Sequence, residues 1–206
     1  MNLYHPLNST AFSNVLRRLV ILVGSYFVLV VPCNAQSSAD EVVRITVNAV
    51  INTLQDTTLD SGAKKEKVAT VVSKHFDFKA MTSRVLATNW KRASTADQQQ
   101  ITRLFRQMLI DTYWQKMVGF SGETVEFLVQ QARDPDHVSC KTLLHTKTAR
   151  IPVDYKLYRV GDTWMAYDVV IEQVSLVRNY RGKFQSIVRD SGIAGLIAHL
   201  QDETTS

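Results

Sequence analysis

The sequence predicts an α+β domain with a helical N-terminal half, a four-stranded antiparallel sheet and C-terminal helices. Apolar residues recur at helical spacing from about residue 42 to residue 118, and they alternate with a period of two from about 123 to 171. The helical spacing returns after residue 176. Helices followed by consecutive strands joined by short turns are typical of an α+β domain.

The first 35 residues are predicted to be a cleaved secretory signal peptide. Two arginines precede an apolar stretch at 19–31, and cleavage is expected after Ala35. The stretch is shorter than the roughly 20 residues that cross a bilayer, which counts against an uncleaved anchor. Pro32 before Cys33 fits a lipoprotein signal poorly. We therefore expect an exported protein.

Residues 36–206 are expected to form one domain with an ordinary hydrophobic core. The leader holds two of the 24 Lys and Arg residues and none of the 19 Asp and Glu residues, so 22 cations face 19 anions, a net charge of +3. This small, scattered charge argues against nucleic acid as a partner and suits an anionic surface. Cys140 is the one cysteine left, so no internal disulfide is expected.

Capping residues divide the N-terminal half into four predicted helices. Ser38 begins the first, and a polar turn at 60–62 leads to the second. Asp77 caps the third. Thr95 and Gln98 form a capping pattern that opens the longest helix, which extends to about residue 118.

Four strands are predicted where the period changes to two. They cover 123–131, 137–146, 149–160 and 163–171, and Gly161-Asp162 forms a hairpin loop between the last two. The strand at 163–171 is apolar on both faces. Strict alternation would place Trp164, Ala166 and Val170 on one face, and Met165, Tyr167, Val169 and Ile171 on the other. Either helices cover both faces, or one face lines an apolar cavity.

Residue patterns for catalysis or metal binding are scarce. The histidines at 75, 137, 145 and 199 form no helical His-x-x-x-His pair, and Cys140 has no neighbouring cysteine, so no metal site is predicted. The sequence has no Gly-x-Ser-x-Gly motif, phosphate-binding glycine loop or dinucleotide fingerprint. We expect no catalytic residue, no cofactor and no enzyme activity.

Asp168 is an acid within an apolar strand, and two interpretations remain. As a general base it would have a raised pKa in a pocket. As a structural residue it would pair with Arg178 or Arg181, or with backbone donors at a helix start, because an unpaired buried carboxylate is costly. The absence of a histidine at a nearby spacing favours the structural interpretation.

Two segments carry a family resemblance. The stretch "TWMAYDVVIEQVSLVRNYRGKF" (163–184), with "GIAGLIAHL" downstream, resembles the C-terminal signature of the MlaC-type proteins, also called the toluene-tolerance family. The stretch "FDFKAMTSRVLATNW" (76–90) resembles the family's other recurrent segment, and the helix at 98–114 is similar in character. Gln173 stands where the family pattern Glu-Gly-Val-Ser has glycine.

This resemblance implies a periplasmic phospholipid carrier of Gram-negative bacteria. Such a carrier shuttles phospholipid between an outer-membrane lipoprotein complex and an inner-membrane ABC transporter complex, and so maintains outer-membrane lipid asymmetry. The implied fold is a curved antiparallel sheet packed by helices around a deep apolar pocket. We expect a monomer with bound phospholipid as cargo. The alternatives are a small periplasmic enzyme that uses Asp168 in an apolar cavity, and a periplasmic protein-binding adaptor.

The pocket wall is predicted from apolar faces of the sheet and helices. The lipid-binding residues are expected to be Phe78, Met81, Leu86, Phe105, Leu109, Tyr113, Phe127, Val129, Tyr155, Leu157, Tyr167 and Val169.

Overall fold

The computed structural model describes residues 38–120 and 122–205, so the predicted signal peptide lies outside the described residues. Helices come first in the chain. They are α1 (Ala39–Gln55), α2 (Ser61–His75), α3 (Phe78–Leu86) with a 3₁₀ turn (Ala87–Lys91), and α4 (Thr95–Met117). A last helix, α5 (Leu176–Thr205), follows the sheet.

Side-chain caps fix where the N-terminal helices begin. Asp60 and Asp77 accept hydrogen bonds from the backbone three residues ahead, at the starts of α2 and α3. Ser38 does the same for α1. The capping box of α4 is formed by Ser94 and Asp97, so the sequence prediction for this box was wrong by one residue. Ser94 has the extended backbone of an N-cap residue, and the helix itself starts one residue later.

The sheet is antiparallel, with strand order β1-β3-β4-β5-β6, and β2 also pairs with β3. The strands are β1 (Thr124–Phe127), β2 (Gln131–Asp134), β3 (His137–His145), β4 (Arg150–Val160), β5 (Thr163–Ile171) and β6 (Val174–Ser175). The α+β class is confirmed. The predicted number of four strands was wrong, because the first predicted strand is interrupted at 128–130 and a two-residue strand follows β5.

A β-bulge at Tyr167 decides which side chains share a face. Ala166 pairs with Leu157 and Asp168 pairs with Lys156, so Tyr167 is an extra residue without a partner in β4. One extra residue shifts the alternation, and the strand segments on either side of it therefore point their apolar residues to the same face. The predicted faces of this strand were wrong for this reason. The inner face, towards the helices, carries Trp164, Ala166, Val169 and Ile171.

Two buried clusters form the core on the inner side of the sheet. The larger one joins α3, α4 and α5 to β5, with Phe105, Phe184 and Leu196 fully buried. The smaller one joins the N-terminal half of α1 to β3, β4 and β5 around Leu157. Within α5, Gly192 has φ of 70° and breaks the helical geometry. That left-handed conformation favours glycine.

Asp168 fastens the start of α5 to the sheet. It is 3% exposed. Its Oδ2 accepts hydrogen bonds from Ser175 Oγ at 2.7 Å and Lys156 Nζ at 3.0 Å, and its Oδ1 accepts one from Val177 N at 3.1 Å. The backbone donor at a helix start agrees with the structural interpretation. The cation is the cross-strand Lys156, and not either of the two arginines named from the sequence.

The aromatic residue between those arginines belongs to the core. The Tyr180 ring packs on Phe105 and Phe184, with centroid distances of 5.2 and 5.8 Å. Arg178 and Arg181 are exposed. The turn before α5 has positive φ at two non-glycine residues, 48° at Glu172 and 69° at Gln173. Gln173 therefore occupies a backbone position that glycine would adopt with less strain.

Candidate functional site

A cavity of about 720 Å³ lies between the inner face of the sheet and the helices. It falls within the usual range of ligand pockets, roughly 300–1,000 Å³. Its walls come from the C-terminal half of α1, from α2, α3 and α4, from strands β1, β3, β4, β5 and β6, and from the start of α5. Most of the side chains that line it are apolar.

Half of the predicted lipid-binding residues line this cavity. Phe78 and Met81 reach it from α3, and Val169 reaches it from β5. The full set of predicted residues along the cavity is Phe78, Met81, Leu109, Tyr113, Tyr155 and Val169. The structure therefore brings these six together, and their contact with a lipid stays a prediction.

Three of the other predicted residues are buried in the packed core. Leu86 and Phe105 are 1% and 0% exposed in the cluster formed by α3, α4 and α5. Leu157 is 1% exposed and belongs to the cluster under α1. Their side chains contact other side chains instead of the cavity, so the prediction that they form its wall was wrong.

The remaining three also lie away from the cavity. The Phe127 ring lies under the Arg44 guanidinium, 4.3 Å from it. Val129 is 85% exposed in the link between β1 and β2. Tyr167 points to the outer face because of the bulge, and the Arg84 guanidinium lies 4.4 Å from its ring.

Sequence reasoning missed the contribution of the first two helices. Val47 and Ile51 of α1 and Val68 and Val72 of α2 line the cavity. The apolar stripes of these helices are visible in the sequence, but nothing local shows that they face an empty space. Ile151 and Val153 also line the cavity. Their alternation with Tyr155 along β4 is the signal that identifies them.

Two tyrosines of the cavity wall have raised pKa values. Burial raises the pKa of Tyr155 to about 12. Burial, followed by the nearby Tyr180, raises the pKa of Tyr113 to about 12 as well. Neutral phenols are therefore strongly favoured, as expected for side chains that face apolar surroundings.

Part of the polar lining of the cavity lies at the protein surface. Val174 lines the cavity and is 55% exposed, so the cavity opens beside the turn between β5 and β6. Glu172 and Asn179 lie on that side, and Lys116 and Glu123 line the cavity near the end of α4. Among the described residues, Glu123 Oε2 is buried without a hydrogen-bond partner.

Residues 38–120 and 122–205 contain no group of three or more His, Cys, Asp or Glu side chains that could hold a metal ion. No helix in the same ranges combines the length and apolar character needed to cross a membrane. Burial, followed by the charge of Asp40, raises the pKa of the Cys140 thiol to about 12. What this arrangement can do is remove an apolar ligand from water.

Fold and site together define an α+β protein built around a ligand-sized apolar cavity. The chain belongs to the MlaC protein family, whose model matches residues 44–202. The resemblance seen in the two sequence segments is thereby confirmed. A similar solved structure is the phospholipid-binding protein from Ralstonia solanacearum in complex with a phospholipid. It is 24% identical, covers 82% of this chain and 98% of its own, and has a TM-score of 0.75.

Proposed function

We propose that this protein is a monomeric periplasmic carrier of phospholipid. It moves lipid between an outer-membrane lipoprotein complex and an inner-membrane ABC transporter complex, and so serves outer-membrane lipid asymmetry. The observation that carries the proposal is the apolar cavity of about 720 Å³ beneath the sheet. Membership of the MlaC family, and the phospholipid held by the similar Ralstonia protein, support the choice of ligand.

Desolvation of the acyl chains supplies the affinity. Exposing the acyl chains of a lipid with about 30 methylenes to water would cost a transfer free energy on the order of 20 kcal/mol, at about 0.8 kcal/mol for each methylene. Apolar side chains such as Ile151, Val153 and Ile171 offer the chains a dry surface. No bond changes during carriage, so the cavity needs shape and apolar character rather than reactive groups.

The polar head group is proposed to lie at the opening. Glu172 and Asn179 provide polar side chains there, on the side of the exposed Val174, and Lys116 lines the cavity near the end of α4. A head group at this position stays in contact with water, and the chains reach inwards past Tyr113 and Tyr155. Release then requires a partner that offers the lipid a better site.

The position of Asp168 counts against the enzyme alternative. Its carboxylate accepts hydrogen bonds from Lys156, Ser175 and Val177 N, and it does not line the cavity. A general base must come within hydrogen-bond reach of the proton that it removes. The adaptor alternative is tested by the same experiment as the carrier, because an adaptor would be purified without lipid.

The test is to express the protein with its own leader in a Gram-negative host and purify it from the periplasm without detergent. Mass spectrometry of an organic extract should find phospholipid in about one-to-one ratio with the protein. Val153→Trp, which places a large ring in the cavity, should lower that ratio by about half or more. Val129→Trp, at the exposed link, is the matched control and should leave the ratio unchanged.

Folding of both variants is checked by circular dichroism and denaturant titration. An empty wild-type protein that also takes no lipid from phospholipid vesicles would contradict the carrier. Full occupancy in folded Val153→Trp would contradict the assignment of this cavity as the lipid site.

A further inference from the structure

The outer face of the sheet carries a second feature, a polar groove on the side opposite to the cavity. Two adjoining depressions of about 350 and 290 Å³ share Lys156, Ser175 and Arg178, and so form one continuous groove. It extends from His137, at the start of β3, to Gln173, in the turn before β6.

Cations dominate the groove. Its lining and that of an adjacent depression of about 360 Å³ include five of them: Arg84, Arg133, Lys156, Arg178 and Arg181. The carboxylates of Asp134 and Asp154 line the same surface, and Asp168 is buried beneath it. Five cations against three carboxylates leave an excess of two, out of the net +3 of residues 36–206. The groove therefore carries a local excess of positive charge.

Three of these five cations bind other groups of the protein. Lys156 pairs with Asp168 at 3.0 Å. Arg84 donates to Ala80 O at 3.1 Å, and Arg181 donates to Arg84 O at 2.9 Å.

Arg133 and Arg178 are exposed, and their guanidinium groups make no hydrogen bond or ion pair with residues 38–120 or 122–205. Guanidinium groups bind carboxylates and phosphates through paired hydrogen bonds. These two arginines are therefore free to bind an anionic group from another molecule.

The length of the groove favours an extended chain as its occupant. Its lining follows β4 from the level of His137, which pairs with Tyr158, to Pro152. Six residues at about 3.3 Å each span about 20 Å. An extended segment of about six residues matches this length, whereas a free phosphate would fill only one end.

The character of the lining disfavours a membrane as the occupant. Membrane-surface binding depends on buried apolar area in addition to charge. The large apolar side chains that are exposed among the described residues are Ile45, Val118, Leu128, Val129, Val160 and Val174. None of them lines the groove. A concave surface also brings fewer of its charges against a flat bilayer.

We propose that the groove docks an acidic, extended segment of a partner protein, whose carboxylates pair with Arg133 and Arg178. The proposal does not depend on what the cavity holds. It has a consequence for position, because Gln173 ends the groove and the adjacent Glu172 lines the cavity. A segment bound in the groove therefore ends beside the cavity opening.

The test uses fluorescence polarisation with the full purified protein and a labelled hexaglutamate peptide at low salt. The peptide should bind, more tightly than triglutamate, and a Ser-Gly peptide of the same length should not bind. Arg133→Glu with Arg178→Glu should weaken hexaglutamate binding by about tenfold or more, because charge-assisted hydrogen bonds are lost. The matched control is Lys91→Glu with Arg103→Glu, which makes the same change in net charge at exposed residues outside the groove.

The control pair should weaken binding by about twofold at most, because exposed charges at a distance are screened. Equal losses in the two double variants would overturn the proposal, since they would show attraction to net charge alone. It would also be overturned if hexaglutamate failed to bind. Binding of inorganic phosphate alone, or of vesicles that contain phosphatidylglycerol alone, would replace the acidic segment with a free anion or a membrane.

Discussion

The inner face of the sheet is filled at one end and hollow at the other. At the filled end Leu157 is 1% exposed, covered by Val42 and Val43 of α1. At the hollow end Val153 and Tyr155, the preceding residues on the same face of β4, line the cavity. One strand therefore contributes to a packed core and to a ligand site within a few residues.

The difference between the two ends lies in what covers them. At the filled end, Ala39 of α1 packs in one buried cluster with Ala166 and Cys140 of the sheet. At the hollow end Val47 and Ile51, further along α1, line the cavity from the other side. Both ends have the same apolar alternation, so the pattern shows that a face is covered but not how tightly.

The largest expected effect on the free energy of unfolding comes from shortening one side chain at the filled end and comparing it with one at the hollow end. Leu157→Ala should lower the free energy of unfolding by about 2–5 kcal/mol, because it opens a void in packed surroundings. Val153→Ala should lower it by about 1 kcal/mol, because its side chain already faces the cavity. Denaturant titration measures both. Equal losses would contradict the comparison, since they would mean that the hollow end is packed in solution.

A second prediction uses the tyrosines of the hollow end. Burial holds the pKa of Tyr113 and Tyr155 at about 12, above the ordinary value of about 10. Between pH 10 and pH 12 the unfolded chain loses these protons first, so the free energy of unfolding falls as the pH rises.

Replacement of both tyrosines by phenylalanine should make that fall less steep. Denaturant titrations at pH 9 and pH 11 measure it. A residual slope is expected, since burial also raises the pKa of Tyr158, of Tyr180 and of the Cys140 thiol. The same slope in wild type and double variant would show that water reaches the phenols at the hollow end.

The smallest expected effect concerns the turn at the opening of the hollow end. Gln173→Gly should raise the free energy of unfolding by about 0.5–1 kcal/mol, because φ of 69° strains a residue that has a Cβ. The matched control is Gln185→Gly, at an exposed position in α5, which should lower it by about 1 kcal/mol. A loss at both positions would mean that the Gln173 side chain has a stabilising contact in solution.

Features set by neighbouring residues could be predicted from the sequence. Asp60 and Asp77 act on backbone groups three residues away, so the starts of α2 and α3 follow from local composition. The glycine that the family pattern has at position 173 suits the positive φ of this turn, but that expectation came from the resemblance and not from the neighbouring residues. The α+β class follows from the order of the two periodicities.

Features set by pairing between strands and by helix placement could not be predicted. Lys156 becomes the partner of Asp168 only because the register of β4 and β5 places them opposite each other. Leu157 and Tyr155 alternate alike, and the cover of α1 separates core from cavity. The free arginines at 133 and 178 are 45 residues apart in the chain, and only the sheet brings them to one groove.

The extra residue in β5 has a consequence for how this protein can change over generations. Tyr167 keeps Ala166 in the filled end and Val169 in the hollow end on one face. A substitution at 167 leaves the number of residues in β5 unchanged. Deletion of a single codon would move the apolar side chains of one of the two segments to the outer face. Both ends therefore depend on the number of residues in β5. Insertions or deletions in this strand should be much rarer among functional descendants than changes of side chain.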